Sequence, residues 1–459
     1  MKSKFGAIKN LVSLPLLIGR RQKEQWLTDA ELAAIRFRRT RSLLETARTA
    51  HYYRGVLSGV KASDGNNPLD GVPLLDKKIM RTVGEAAFLT DGDEGLLPIF
   101  TSGSTGQPAR FLRSPVEEAE FSSRWYRVHS AYGGSFRDTI LNIGRGRANT
   151  RRGPTKLLRT LGILPAVRNV SVAAPVAESV RILQEMEPQF VVGYAIGVEN
   201  IAKYIVAQGI RVKSPKAVFC GAMDVTDRCR ELVGQAFNAP TVNVYVSNEF
   251  GVIGWECPVR REYLHVNDDT LVMEIVDQSG LPVPDGVTGE VVLTSLTLER
   301  MPLIRYRTGD VAARIPGKCT CGRGLGLMTP VKGRTSHTIV GPNGELITAP
   351  LVSSALSAAK AYQWVGRFQL REQGSSHLRL LVEPIRDPLP AQIEAVMSQL
   401  TMTVGPSYRI DLELREELPL APSGKYQYVV PLPASGPTQG ANTGSDPSAS
   451  STAPANRGP

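Results

Sequence analysis

A loop of small and hydroxylated residues follows a short apolar run in the first quarter of the chain. Residues 100–108 read FTSGSTGQP, and the run LLPIF ends at Phe100. Consecutive backbone N–H groups and hydroxyls in a glycine-rich turn form a cradle for anions. The loop lacks a Gly-Lys-Ser/Thr ending, and no G-x-G-x-x-G opens a βαβ unit here. Alone, this composition fits either a phosphate site or a surface loop.

Three other segments carry polar groups suited to a nucleotide and its substrate. NVYVSNE ends a predicted strand with an amide, an aromatic ring and the carboxylate of Glu249. RYRTGD puts Asp310 at the end of another strand, and APSGK places Lys425 on a glycine turn. Together with FTSGSTGQP, these segments resemble the adenylate-forming superfamily of acyl-CoA synthetases and peptide-synthetase adenylation domains.

The flanking segments narrow the resemblance to the phenylacetate-coenzyme A ligase family. They are VPLLDKKIMR around Asp76, WEC at residues 255–257, HVNDD from His265, LTSLTLERMPLIRYRTGD, and CTCGR. The matching segments run in the family's order from about Tyr52 to Lys425. IVGPNGELITAPLVSSAL is similar to the branch found with capsular polysaccharide genes.

The resemblance implies a role for each matching residue. Tyr245 would stack on adenine, Asn243 would meet the adenine amino group, and Asp310 would accept both ribose hydroxyls. Glu249 would hold Mg²⁺ against the phosphates, and Lys425 would lie between the substrate carboxylate and the α-phosphate. The full implied ATP and AMP set comprises Thr101, Ser102, Gly103, Ser104, Thr105, Gly106, Gly221, Ala222, Asn243, Tyr245, Asn248, Asp310 and Arg334.

The resemblance also implies a reaction. A carboxylate would attack the α-phosphate of ATP with Mg²⁺ bound, pyrophosphate would leave, and the thiol of coenzyme A would attack the acyl-adenylate. The acid would be organic and, by the family, aromatic. An alternative keeps adenylation but changes the acceptor to an amine, a sugar hydroxyl, another nitrogen species or a cofactor. A third interpretation is a nucleic-acid or scaffold protein that uses its positive charge.

Several positions depart from the family pattern. Gln107, Ala109 and Arg110 stand where the family loop commonly carries a lysine. Val246 replaces the glycine that follows the tyrosine, which would narrow the acyl pocket. Ser336 and His337 replace the aspartates that usually follow the hinge arginine, Arg334. These changes bear on the substrate and leave the ATP prediction in place.

The five cysteines include a Cys-x-Cys pair, Cys319 and Cys321. With Cys257 and His265, this pair offers four soft N/S ligands, which is the complement of a structural zinc site. Buried free thiols are the alternative. Some members of the resembled family carry such a zinc, so the resemblance favours the metal. Cys220 and Cys229 fit core positions on a strand and a helix.

The elements that must position these residues form three predicted patterns. Thr28 and Glu31 have capping-box spacing before a helix that is expected to close near His51. From Val172 to Val246 helices alternate with the strands FVVGY, AVFCG and TVNVYV, an α/β layout in which ligand sites gather at the carboxyl ends of strands. Beyond Leu271, LVMEIVD, GEVVLTSL and PLIRYR predict a small antiparallel sheet or barrel.

The C-terminal part reads as a separate small α+β unit. Asn343-Gly344 predicts one hairpin and Gly374 marks a second, with helices and the strand YRIDLEL around them. We therefore expect an α/β and α+β protein with an ATP- and acid-binding domain (1–333), a lid domain carrying Lys425 (334–432) and a disordered tail (433–459). The resemblance implies that the lid rotates beside Arg334 between the two half-reactions.

Composition bounds the remaining choices. The chain has 459 residues, 42% hydrophobic and 21% charged, as in globular proteins of more than one domain. The run Leu11–Gly19 is too short for a membrane span and lacks a cleavage site, so a cytoplasmic location without membrane or nucleic-acid partners is expected, and a homodimer is compatible. The net charge is +11, and its basic residues are mostly interleaved with acidic ones; only residues 145–159 concentrate them, as either a solvated loop or an anion site.

Overall fold

The structure is a computed structural model that describes residues 2–60, 67–92, 95–100, 110–144, 166–221, 225–331, 333, 339–341, 346–374, 376–419 and 427–432. Several predicted features lie outside these residues. They are the loop at 101–109, Ala222, Arg334 with Ser336 and His337, the Asn343-Gly344 turn, Lys425, the basic segment at 145–159 and the tail from 433. The roles assigned to these residues stay predictions.

Four helices open the chain: α1 (Lys2–Glu24), α2 (Asp29–Ala47), α3 (His51–Val56) and α4 (Lys77–Val83). The capping box of α2 is confirmed, because the Thr28 side chain accepts from the backbone of Glu31 and the Glu31 side chain from that of Thr28. The helix ends at Ala47, slightly before the predicted end. The apolar run at 11–19 lies inside α1, and none of the helices formed by the described residues could cross a membrane.

A short hairpin brackets the glycine-serine loop. β1 (Leu97–Phe100) pairs antiparallel with β2 (Arg110–Arg113), with Phe100 opposite Arg110. The next helix, α5 (Pro115–Ala131), starts with a capping box formed by Ser114 and Glu117. The chain therefore enters and leaves the predicted phosphate loop on paired strands.

A nine-stranded mixed sheet forms the centre of the fold. Its strands are β3 (Thr139–Gly144), β4 (Ala166–Ser171), β5 (Phe190–Tyr194), β6 (Ala217–Gly221), β7 (Thr241–Ser247), β8 (Gly251–Glu256), β9 (Leu264–Val266), β13 (Arg314–Ile315) and β14 (Leu327–Met328). Across the sheet they lie in the order β13-β14-β9-β8-β7-β6-β5-β3-β4. The pairs among β4, β3, β5, β6 and β7 are parallel, and the pairs among β7, β8, β9, β14 and β13 are antiparallel.

Helices α6 (Val176–Met186), α7 (Ala195–Ala207) and α8 (Asp227–Phe237) connect the parallel strands. The predicted alternation of helix and strand is thus confirmed. Every residue of β6 is buried, which fits a strand covered on both faces by helices. Thr226 caps α8 by accepting from the backbone of Cys229, and Gly209 follows α7 at φ +59°.

A second sheet of three antiparallel strands contains β10 (Leu271–Val276), β11 (Gly289–Ser295) and β12 (Tyr306–Ala312). It confirms the small antiparallel sheet predicted for this region. β12 begins at Tyr306, so the residues PLIR of the predicted strand precede it. β11 also carries a register shift between Glu290 and Val292, opposite the part of β12 that contains Asp310.

The C-terminal elements are β15 (Ile339–Val340), β16 (Leu346–Ile347), α9 (Ala349–Ala358), β17 (Val365–Gly374), β18 (His377–Pro384), α10 (Pro390–Val404), β19 (Arg409–Leu414) and β20 (Val429–Val430). β15 pairs with β16 and β17 with β18, as both hairpin predictions require. One hydrophobic cluster draws on residues between Ile339 and Val429 alone, including buried Trp364 and Leu380. The predicted division at residue 333 stays a prediction.

A buried ion network joins α1 to α5. Asp269 accepts hydrogen bonds from Arg21 at 2.7 Å and from Arg127 at 2.6 Å, and all three side chains are almost fully buried. Although burial opposes its charge, the two guanidinium groups hold the pKa of Asp269 well below its usual range. Removing one member of such a network leaves an uncompensated buried charge, so the three residues fix the position of α1.

Candidate active site

The parallel strands β5, β6 and β7 end side by side. Tyr194 is the register partner of Gly221, and Gly221 is the partner of Val244, one residue before Tyr245. A Cβ on Gly221 would lie 2.8 Å from the carbonyl oxygen of Val244 and 3.1 Å from Cγ1 of Val246, so only glycine fits there. The carboxyl ends of neighbouring parallel strands are the usual place for a ligand in an α/β sheet.

Tyr245 and Asp310 come from different sheets and meet at this edge. The Tyr245 hydroxyl donates a 2.7 Å hydrogen bond to Oδ2 of Asp310, and the two residues are 8% and 7% exposed. A phenol ring and a carboxylate thus lie together, as the sequence predicts for an adenine and ribose site. Their roles in binding stay a prediction.

The backbone around Asp310 is held by local contacts. The Asp310 amide donates to the hydroxyl of Thr308 at 3.0 Å, and the amide of Gly309, at φ +75°, donates to Glu290 at 3.2 Å. Glu290 also accepts from the guanidinium of Arg307 at 2.9 Å. These contacts sit at the register shift of β11 and fix the direction in which the Asp310 carboxylate points.

Glu249, the predicted Mg²⁺ ligand, is 7% exposed and lies just after β7. Its Oε1 is 3.1 Å from the ammonium of Lys77, the first residue of α4, and Asp76 caps that helix through a 2.7 Å bond from the amide of Ile79. The Glu249 carbonyl accepts from the guanidinium of Arg113 at 3.3 Å. Neither Lys77 nor Arg113 was predicted from the sequence to lie beside Glu249, although Lys77 belongs to the VPLLDKKIMR segment.

The remaining predicted nucleotide residues have different environments. Asn243 is half-buried on β7, and its backbone N–H donates to the carboxylate of Glu256 at 3.0 Å. Asn248 is exposed beside Glu249, and Val246 is half-buried next to Gly221. The structure therefore brings Gly221, Asn243, Tyr245, Asn248 and Glu249 to the end of one strand pair and adds Asp310 from β12.

The four predicted zinc ligands lie close together: Cys257 follows β8, His265 lies on β9, and Cys319 and Cys321 follow β13. One ligand atom from each of Cys257, His265, Cys319 and Cys321 lies within 4.8 Å of every other. Sγ of Cys257 is 3.6 Å from Sγ of Cys319, and Sγ of Cys321 is 3.3 Å from Nε2 of His265. A tetrahedral zinc site has edges of about 3.8 Å between sulfurs and about 3.5 Å between sulfur and nitrogen. The donors therefore fit this metal.

Two of the four ligands, His265 and Cys321, have surroundings that favour their metal-binding forms, whereas burial raises the pKa of the Cys319 thiol to about 12. Burial lowers the pKa of His265 to about 4, so the imidazole is neutral at pH 7. Burial opposes ionisation of Cys321, but hydrogen bonds with Arg323, Cys319 and Cys257 together outweigh it and lower the pKa of this thiol. The amide of Val259 donates to Sγ of Cys257 at 3.3 Å, as amides do toward thiolates.

Comparisons with known proteins agree with this fold. The chain is 31% identical over 167 residues to the phenylacetate-coenzyme A ligase of Thermus thermophilus, covering 35% of this chain and 37% of the relative. It is 30% identical over 132 residues to Protein CapK of Staphylococcus aureus, covering 28% of each. The chain thus matches less than two fifths of the length of either relative. No family model matches the sequence.

A solved structure covers more of the chain. The crystal structure of 2-hydroxyisobutyryl-CoA ligase in the postadenylation state, in complex with R3-HIB-AMP, aligns with a TM-score of 0.70 over 89% of this chain and 91% of that chain. The two sequences are 18% identical, so the likeness establishes the fold. The chain therefore has the fold of the AMP-forming, adenylate-forming ligases and resembles phenylacetate-coenzyme A ligases in sequence.

Proposed function

We propose that this protein is an ATP-dependent, AMP-forming ligase that activates an organic carboxylic acid and transfers the acyl group to coenzyme A. The carrying observation is the pairing of Tyr245 with Asp310 at the strand edge that also holds Gly221 and Glu249. A phenol ring, a buried carboxylate and an obligatory glycine form a suitable wall for adenine and ribose. The similarity to phenylacetate-coenzyme A ligases supports an aromatic acid.

The reaction has two balanced steps. A carboxylate oxygen of the acid attacks the α-phosphorus of ATP in line, the bond from that phosphorus to the bridging oxygen breaks, and pyrophosphate leaves. The thiolate of coenzyme A then attacks the carbonyl carbon of the mixed anhydride, and AMP leaves with the electron pair of the C–O bond. No nucleophilic side chain is required in either step.

Glu249 would hold Mg²⁺ in this proposal. The ion usually binds through one or two carboxylates together with substrate phosphates and water, so one buried carboxylate fits it. Lys77 already places an ammonium 3.1 Å from this carboxylate, which agrees with a site that attracts cations. When bound, Mg²⁺ supplies neutralising charge to the phosphates.

Residues 334–432 would form a lid that presents Lys425 during adenylation only. Lys425→Ala should slow adenylation by roughly 10² to 10³, as expected for the loss of one preorganised electrostatic donor. The same variant supplied with preformed acyl-adenylate should make thioester within several-fold of the parent rate. Equal loss in both half-reactions of a folded variant would contradict a lid with two positions.

A second candidate keeps adenylation and replaces coenzyme A with another acceptor, such as an amine, a sugar hydroxyl, another nitrogen species or a cofactor. The observation that favours it is the similarity to Protein CapK, which supports the predicted branch. Detection of an acyl-CoA thioester by mass spectrometry separates the two candidates. Adenylation without thioester formation would favour the second.

The test of adenylation is pyrophosphate release from ATP with a panel of aromatic and aliphatic acids, each with and without coenzyme A. We expect release with at least one acid and its loss in Asp310→Ala. Absence of release with every acid, together with no binding of ATP, would refute the proposal. A cytoplasmic location is part of the proposal, because five free cysteines fit a reducing compartment.

A further inference from the structure

Arg113 links the strand that leaves the glycine-serine loop to the backbone of Glu249. It is the last residue of β2, which begins directly after residues 101–109, and it is 4% exposed. One guanidinium nitrogen donates to the Glu249 carbonyl at 3.3 Å, and another to the Glu118 carboxylate at 3.2 Å. A single buried side chain on β2 therefore connects that strand to α5 and to the predicted Mg²⁺ ligand.

An aromatic contact fixes the direction of this guanidinium. Its central carbon lies 3.6 Å from the ring centroid of Phe121, and the guanidinium of Arg124 lies 4.4 Å from the same centroid. Phe121 also packs on the chain beyond Glu249, since a Cβ on Gly251 would lie 2.4 Å from its ring. Gly251 has φ +69°, a conformation that side chains disfavour. The segment 249–251 is thus held by Arg113 on its carbonyl and by Phe121 at Gly251.

From these contacts we propose that Arg113 is a positioning residue that holds the Glu249 backbone so that its carboxylate meets Mg²⁺ bound to the phosphates of ATP. The inference rests on the proposed function. A guanidinium is suited to this task because its planar fork makes two directed hydrogen bonds while one face stacks on a ring. The ammonium of a lysine is a point charge and cannot reproduce all three contacts.

The test measures ATP binding by isothermal titration calorimetry, once with Mg²⁺ and once with EDTA. The ratio of the two dissociation constants is the gain that Mg²⁺ gives. We expect Arg113→Met to reduce this gain by about tenfold, because partners behind a metal ligand typically contribute 10-fold or more to metal affinity. Binding in EDTA should change little. Arg113→Lys, which keeps the charge, should lie between the parent and Arg113→Met.

A double-mutant cycle distinguishes this role from general damage to the fold. Glu249→Gln should lose the Mg²⁺ gain, and Arg113→Met in that background should cause no further loss, because Arg113 acts through Glu249. Arg181→Met removes an exposed ion pair with Glu185 on α6 and serves as the matched control. It should leave both constants unchanged.

The outcomes separate the two proposals. If the parent binds ATP more tightly with Mg²⁺ and Arg113→Met keeps the full gain, Arg113 has no positioning role and the proposed function stands. Additive losses in the double variant would also overturn the role, since Arg113 would then act independently of Glu249. If the parent binds no ATP in either buffer, both proposals fail. Should Arg113→Met fold poorly, the same comparison with Arg113→Lys decides the matter.

Discussion

The hydroxyl of Tyr245 and the carboxylate of Asp310 are joined by a 2.7 Å hydrogen bond between the end of β7 and the middle of β12. The two strands belong to different sheets, and the two residues are 65 positions apart along the chain. The contact therefore joins the two sheets at the proposed nucleotide site.

Two substitutions test the contributions of the Tyr245 hydroxyl and of the Asp310 carboxylate to the affinity for ATP. Tyr245→Phe keeps the stacking surface and loses one hydrogen bond to a charged group, a contribution of about 1.5 to 3 kcal/mol at most. We expect its dissociation constant for ATP to rise about tenfold. Asp310→Ala removes the proposed acceptor for both ribose hydroxyls and should weaken ATP binding more. A larger effect from Tyr245→Phe than from Asp310→Ala would contradict these roles.

Zinc removal should affect the fold more than the chemistry. Freshly purified protein should carry about one equivalent of zinc by elemental analysis, and Cys321→Ser should lose the metal and melt at a lower temperature, because metal binding to a structural site contributes folding free energy. Cys229→Ala is the matched control, since Cys229 is buried in another cluster. Protein without zinc, or a Cys321→Ser variant that retains it, would end this proposal.

We expect His129 to make the stability of the fold depend on pH. Its ring lies 5.0 Å from that of Phe219 and 5.2 Å from that of Phe190, and its buried Nε2 has no hydrogen-bond partner among the residues that the structure describes. Burial lowers the pKa of His129 to about 4, against about 6.5 in an unfolded chain. The unfolded state therefore binds more protons between these values, and the stability present above about pH 6.5 falls as the pH approaches 4.

His129→Phe should remove this contribution, which is on the order of 2 kcal/mol at pH 4.5. Chemical denaturation of the parent and the variant at pH 7.5, 6, 5 and 4.5 measures it. The stability difference between the two proteins should change steadily in favour of the variant as the pH falls. His51→Gln, at an exposed position, should track the parent. A difference that stays constant across this range would show that His129 is not titrating.

Local sequence signals predicted most of the fold for identifiable reasons. Thr28 and Glu31 satisfy each other's backbone within one turn, and the strands from FVVGY to TVNVYV are apolar because both faces of the parallel sheet are buried. The convergence of Cys257, His265, Cys319 and Cys321 was predicted from their soft-ligand residue types together with the family resemblance, which favoured a metal over buried free thiols. Such signals are carried by single segments or by residue type.

The interactions that sequence reasoning missed depend on distant partners. Asp269 lies in the HVNDD segment, yet its contacts are Arg21 on α1 and Arg127 on α5. Nothing near Asp269 in the sequence indicates those arginines, and α1 itself was not predicted. The pairing of Lys77 with Glu249 joins residues from α4 and the end of β7. A charge at one position cannot reveal which opposite charge the fold will bring to it.

We expect Lys77→Met, which breaks the ion pair with Glu249, to lower the melting temperature of the free protein and to increase the stabilisation that Mg²⁺ with ATP provides. Lys77→Met leaves the Glu249 carboxylate, which is 7% exposed, without its cation, and an unpaired buried charge is destabilising. The free variant should therefore melt at a lower temperature than the parent. Mg²⁺ with ATP would supply the missing positive charge, so these ligands should raise the melting temperature of the variant by more than that of the parent.

Lys78→Met, at the exposed neighbouring position on α4, is the control and should change neither the melting temperature of the free protein nor its increase with the ligands. If the ligands stabilise Lys77→Met less than the parent, Lys77 contributes to nucleotide binding itself and does not merely neutralise Glu249 in its absence.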